Sequence, residues 1–156
     1  MKNLFIAFLI IAFYPTTIIA KEKDIYFAES IGVAEHKIYF SNTFDDGYKV
    51  IYFSNSQGIA DEIIYVTSSC YYADHTVVNN LSSSDVSVYI SRTLGTADEI
   101  IYLSNSLGFA DVIIYLSSSP TVADYTICIP NYNDLTEKEV QERVAVIFII
   151  LIQSHP

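Results

Sequence analysis

The chain has 156 residues, 51% hydrophobic and 14% aromatic, with 8 basic and 18 acidic residues and a formal net charge of −10. Such apolar content excludes a disordered chain. The acidic balance repels phosphate backbones and excludes nucleic-acid binding; its plainer meaning is a soluble, self-repelling surface, with cation association as the functional alternative.

The N-terminus begins with Met1-Lys2, continues through an unbroken apolar run over residues 4–13, and is broken by Pro15. Small and polar residues then lead to Ala20 before "KEKD". This three-part pattern predicts a secretory signal peptide over residues 1–20, cut after Ala20. Ten clean apolar residues are too few to cross ~30 Å of hydrocarbon, so an anchor is the weaker reading.

From residue 24 to residue 130 the chain repeats itself. Aligned units read "IYFAESIGVAEHK", "IYFSNTFDDGYKV", "IYFSNSQGIADEI", "IYVTSSCYYADHT", "VYISRTLGTADEI", "IYLSNSLGFADVI" and "IYLSSSPTVADYT". Tyr26, Tyr39, Tyr52, Tyr65, Tyr89, Tyr102 and Tyr115 share one phase, with Val78 and Cys128 in the places where Tyr is missing. Each unit opens on a short β-branched and aromatic run, the composition of a strand. Ser or Thr follows at 30, 43, 56, 69, 93, 106 and 119, where a hydroxyl suits a turn or an N-cap. Four residues on comes Ala34, Gly47, Ala60, Ala73, Ala97, Ala110 or Ala123, a small residue where chains approach closely.

Asp61, Asp74, Asp98, Asp111 and Asp124 come next, with Glu35 in the first unit and Tyr48 in the second. One carboxylate per unit suggests either a cation-binding row or side chains that bond the backbone at the turn into the next strand. The second reading is preferred, because Asp is well suited to local backbone bonding and no Gly-rich calcium repeat is present. Thirteen residues are too few for a strand and a full helix, so neighbouring units must complete one another's core. The expected fold is all-β, a compact closed sheet or a solenoid, with the Tyr row buried as a ladder between strands. The Ser/Asn-rich stretch at about 79–86 shortens one step from thirteen residues to eleven and reads as an irregular loop. Cys70 and Cys128 occupy different phases, so the spacing leaves open whether they form a disulfide in an oxidising compartment.

Residues 131–156 leave the pattern. Thr136-Glu137-Lys138-Glu139 has the form of a capping box and predicts a helix over 137–153, amphipathic at first and apolar all round from Val144 to Ile152. The favoured reading is a lid docked on an exposed apolar face. The others are a further strand and a segment that contacts a membrane or a partner.

The recurring "IYF", Ser and "AD" before the next "IYF", with the break in the middle, resemble the septoil knot proteins of bacteria. The resemblance covers residues 24 to about 129 and implies a β-rich backbone tied as a seven-crossing torus knot; the predicted signal peptide of a bacterial chain places it in the periplasm or outside the cell. The resemblance implies no activity, cofactor or site residue. Tyr48 and Gly47 depart from the family's usual Asp and Ala.

The sequence carries no recognisable catalytic motif. No G-x-S-x-G elbow occurs, and His36 and His75 are three units apart in phase, too far in sequence to predict a shared site. No catalytic, cofactor-binding or metal-binding residue is assigned. The expected role is an exported structural or interaction module with an unidentified protein or cell-envelope partner. The alternative is a binding protein whose Tyr or Asp rows hold a carbohydrate, peptide or cation, and an enzyme ranks third.

Overall fold

The computed structural model describes residues 23–153; the predicted signal peptide lies outside them. Nine strands and one long helix make up the fold: β1 (Lys23–Phe27), β2 (His36–Ser41), β3 (Lys49–Ser54), β4 (Glu62–Thr67), β5 (His75–Val78), β6 (Val86–Ser91), β7 (Glu99–Ser104), β8 (Val112–Ser117), β9 (Tyr125–Cys128) and α1 (Glu137–Gln153). Short 3₁₀ turns connect most successive strands. The stretch at 79–86 holds one of them, Leu81–Ser83, and β6 begins at Val86, so the segment expected to be an irregular loop is a shortened copy of the ordinary connection.

The strands close into a barrel in the order β1-β5-β9-β4-β8-β3-β7-β2-β6, and every pairing is parallel. Each strand stands two places round from its predecessor, so β6 to β9 fill gaps left by β1 to β5. Parallel neighbours ordinarily need a crossover of a dozen or more residues. Here a steep stagger removes that need. The first four residues of β2 pair with β6 and its last four with β7. Phe40 near the end of β2 and Lys49 at the start of β3 both pair with Ile101. One strand therefore starts level with the end of the last, and the connection only has to step sideways over the strand between them. The turn Ile31–Val33 lies against β6, Gln57–Ile59 against β8, and Leu94–Thr96 against β2.

Side chains alternate across a strand, so the residue before each Tyr-phase position faces opposite to it. Ile25, Ile38, Ile51, Ile64, Val77, Val88, Ile101, Ile114 and Ile127 are all buried in one cluster. Phe27, Phe40, Phe53 and Leu103, two residues further along their strands, pack against the same cluster. The Tyr residues take the other face and are half-buried, which corrects the expectation of buried rings. Strands rich in Val and Ile on an all-parallel sheet need both faces covered.

The inner cover is α1. Val144 to Ile150 are buried without interruption and belong to the barrel's own cluster. A helix lying on an outer surface would keep one face in water; this one has none over two turns. Lys138, Gln141 and Glu142 stand beside the ends of β2 and β7, whereas Phe148 and Ile149 stand beside the starts of β3 and β7. The helix thus runs antiparallel to the strands through the barrel interior. The tail is a helix, as its capping box indicates, with Glu139 accepting from Thr136 N–H at 2.8 Å and from its hydroxyl at 2.7 Å. It is a plug and not a lid. Among the described residues no helix is long and apolar enough to cross a membrane.

Candidate functional site

The acidic row is the strongest candidate for a site, and hydrogen bonding decides what it can do. Asp111 N–H donates to the Val50 carbonyl at 2.8 Å, and the Asp111 carboxylate accepts from Val50 N–H at 2.8 Å. The same two-point clasp joins Asp98 to Lys37, Asp124 to Ile63, Asp85 to Asp24, Asp61 to Ile113 and Asp74 to Thr126. Each partner lies at or next to the start of a strand 52 or 61 residues away, not in the turn that follows the Asp. The expectation of local backbone bonding is therefore corrected in its partner. The carboxylate continues the ladder of a parallel pair beyond its last regular bond, satisfying an N–H that would otherwise have only water.

Two positions differ. Glu35 N–H is shared between the Ser87 carbonyl at 3.0 Å and the Ser87 hydroxyl at 3.1 Å, so the second bond of the clasp, from partner N–H to carboxylate, is not made there. Tyr48 has no carboxylate to offer, and its N–H turns back to the Asp45 carbonyl at 3.2 Å.

The hydroxyl row is displaced by two residues from its expected place. Ser30, Ser56, Thr93, Ser106 and Ser119 do occupy N-cap positions, but of these only Ser119 caps through its side chain. The bonding hydroxyl sits at the strand end. Ser54 Oγ donates to the Ser56 carbonyl and accepts from Ser56 N–H, both at 2.9 Å, and Ser91, Ser104 and Ser117 repeat the arrangement. Ser54, Ser91 and Ser104 are buried. Their signal was present in the sequence, since Ser or Thr recurs two residues after the Tyr phase in six units. Ala34, Ala60, Ala97, Ala110 and Ala123 are the C-caps of their turns, Ala60 N–H donating to the Gln57 carbonyl at 3.2 Å.

Cys70 and Cys128 form a disulfide with Cα atoms 5.1 Å apart, tying the connection after β4 to the end of β9. His36 and His75 open β2 and β5, which are not neighbours in the barrel. His75 is buried beside Tyr125, with ring centroids 6.3 Å apart. No group of three metal-ligating side chains occurs among the described residues.

Burial, with the charge of the row behind it, perturbs one carboxyl group of the barrel. Burial raises Glu62 above the usual carboxylate range, and Asp124 and Asp61 add to the effect. Burial also raises the Tyr125 hydroxyl, with Glu62, Asp124 and Asp74 contributing. Neither arrangement places a nucleophile against a base. Compared with known proteins, the chain matches no family model, no curated protein and no solved structure.

Proposed function

We propose that the protein is an exported structural or interaction module without a catalytic centre, its backbone tied as the seven-crossing torus knot that the sequence resemblance implies. The observation that carries this reading is the use to which the recurrent side chains are put. The five Asp carboxylates of the acidic row, and Asp85 at the matching place in the shortened unit, hold backbone N–H groups. The inward aliphatics close on α1, so the space in which a β-barrel would hold a ligand is filled by the chain itself.

Support for the knot comes from the strand order. Two circuits of chain interlace strand by strand, and turns pass over the strand of the other circuit that lies between the two they join. Knots are rare enough that this order needs a direct check. A threaded barrel is expected to unfold over days in concentrated guanidinium, followed by far-ultraviolet circular dichroism, whereas complete unfolding within seconds argues against threading.

One observation favours the binding-protein reading: the Tyr row faces outward and is only half-buried. Melting temperature measured with divalent cations, neutral oligosaccharides and short peptides distinguishes the two. No shift is expected for a structural module. A shift of several degrees that is lost in Tyr52→Ala overturns that role and assigns the Tyr row to a ligand.

A further inference from the structure

The chain has only two arginines, and both line one cleft. Arg92 follows the end of β6, and Arg143 lies on α1 where the helix enters the barrel. Phe27, Glu29, Tyr89 and Ile90 complete the walls of a space of about 330 Å³.

In a protein with 18 acidic residues, guanidinium groups have many partners to choose from. Neither takes one: among the described residues, Arg92 and Arg143 make no ion pair and no side-chain hydrogen bond. Arg143 is half-buried with its guanidinium carbon 5.1 Å from the centre of the Phe27 ring, a cation–π contact that leaves its N–H donors unspent. Glu139, one turn before Arg143 on the helix, is held by Thr136 in the capping box, and Glu142 pairs with Lys138 at 3.6 Å. Burial accordingly draws the Arg143 guanidinium below its ordinary range, with Glu139 opposing.

The position of Arg92 is also a departure. Residues in its phase are Asn42, Asn55, Ser68, Asn105 and Ser118, neutral and short, except for Glu29. The groove between β2 and β7 is built from the corresponding positions and presents Asn42 and Asn105 instead.

We propose that the cleft between the ends of β1 and β6 binds a tetrahedral oxyanion, a phosphate or sulfate group, between Arg92 and Arg143. Two planar forks reach it from different elements, a strand end and a helix. A tetrahedral group offers oxygens in more than one plane to meet them, whereas a carboxylate offers its two in a single plane. Glu29 on the rim works against the ligand and tunes its affinity downward. The Phe27 and Tyr89 rings supply an apolar wall for whatever carries the anion.

The protein from Lys21 to Pro156 is titrated with inorganic phosphate at low ionic strength, by calorimetry and by amide chemical shifts. Saturable binding is expected, with shifts gathered at residues 27–29 and 89–92 and with affinity falling as salt rises. Arg92→Ala removes an exposed side chain outside the core and is expected to weaken binding about tenfold. Glu29→Gln is expected to tighten it. Arg143→Lys keeps the charge but loses the fork and is expected to weaken binding at an unchanged melting temperature. Sedimentation with vesicles of phosphatidylglycerol, against phosphatidylcholine, separates two sources of the anion. Arg92-dependent pelleting assigns a lipid headgroup, and phosphate saturation without pelleting assigns a soluble group. Absence of both overturns the proposal. So does a Glu29→Gln protein that melts lower with phosphate affinity unchanged, because Glu29 is then simply the arginines' ion-pair partner.

Discussion

Asp111 and Val50 hold each other twice, amide to carbonyl and carboxylate to amide, both at 2.8 Å and across 61 residues of chain. The bond joins the two circuits of the barrel at the point where a turn ends and a strand begins. Five other pairs repeat it around the circumference. A row of identical carboxylates on a barrel is thus a set of fasteners, each replacing a ladder bond that parallel pairing alone would leave unmade.

Removing one fastener exposes its cost. Asp111→Ala leaves Val50 N–H without its acceptor and is expected to lower stability by about 2 kcal/mol, read from denaturant midpoints. Asp111→Asn keeps an oxygen in place and is expected to retain most of that. Calcium is expected to leave both melting temperatures unchanged, and a large calcium-dependent rise in the native protein overturns the structural assignment of the row.

How much of this was legible depends on where the partner lies. That Asp111 bonds backbone can be read from its type and phase; that the backbone belongs to Val50 cannot. Register between strands 52 or 61 residues apart is a tertiary fact, fixed only when the second circuit settles into the gaps of the first. The Tyr residues mislead for a related reason. Ile51, Tyr52 and Phe53 are all apolar, so alternation does not say which face is inward until α1 fills one of them. The strand-end hydroxyls leave a regular trace in the sequence, but one that the neighbouring hydroxyl phase masks. Ser54 and Ser56 stand in equally regular phases, and only geometry shows that the first serves the second.

The helix plug makes a stronger demand than a lid would. Ile147 is fully buried among inward residues of the barrel. Ile147→Ala is expected to cost about 3 kcal/mol, since the closed ring of strands cannot collapse onto the cavity. Deleting residues 137–156 is expected to open the apolar interior to water, giving dye binding and aggregation. A deletion protein that remains a soluble, cooperatively melting monomer rules out the plug's role in stability.

The disulfide acts on the same end of the fold. Cys70 and Cys128 close a loop with a sequence separation of 58, and Cys128 ends β9, from which the chain passes through the turn Tyr132–Asp134 into α1. Constraining a loop of that length in the unfolded chain contributes about 4 kcal/mol. Cys70→Ser with Cys128→Ala is expected to lose most of it in equilibrium unfolding. A loss below about 1 kcal/mol would mean that the barrel registers already confine the two ends as tightly as the bridge does.

Glu62 supplies a pH dependence of opposite sign to the usual carboxylate. Its folded-state value is raised, by burial first and by Asp124 and Asp61 after that, so the folded protein binds this proton more tightly than the unfolded chain does. The corresponding stability is fully present below the ordinary value of 4.5 and is lost as pH rises through the raised value. At neutral pH the ionised Glu62 therefore opposes folding. Solvent screening keeps the effect under about 1 kcal/mol. Glu62→Gln is expected to melt higher than the native protein at pH 7 and to lose that advantage below pH 4.5, where both carry a neutral side chain. A substitution that raises the melting temperature equally at both values would assign the gain to packing and remove the electrostatic explanation.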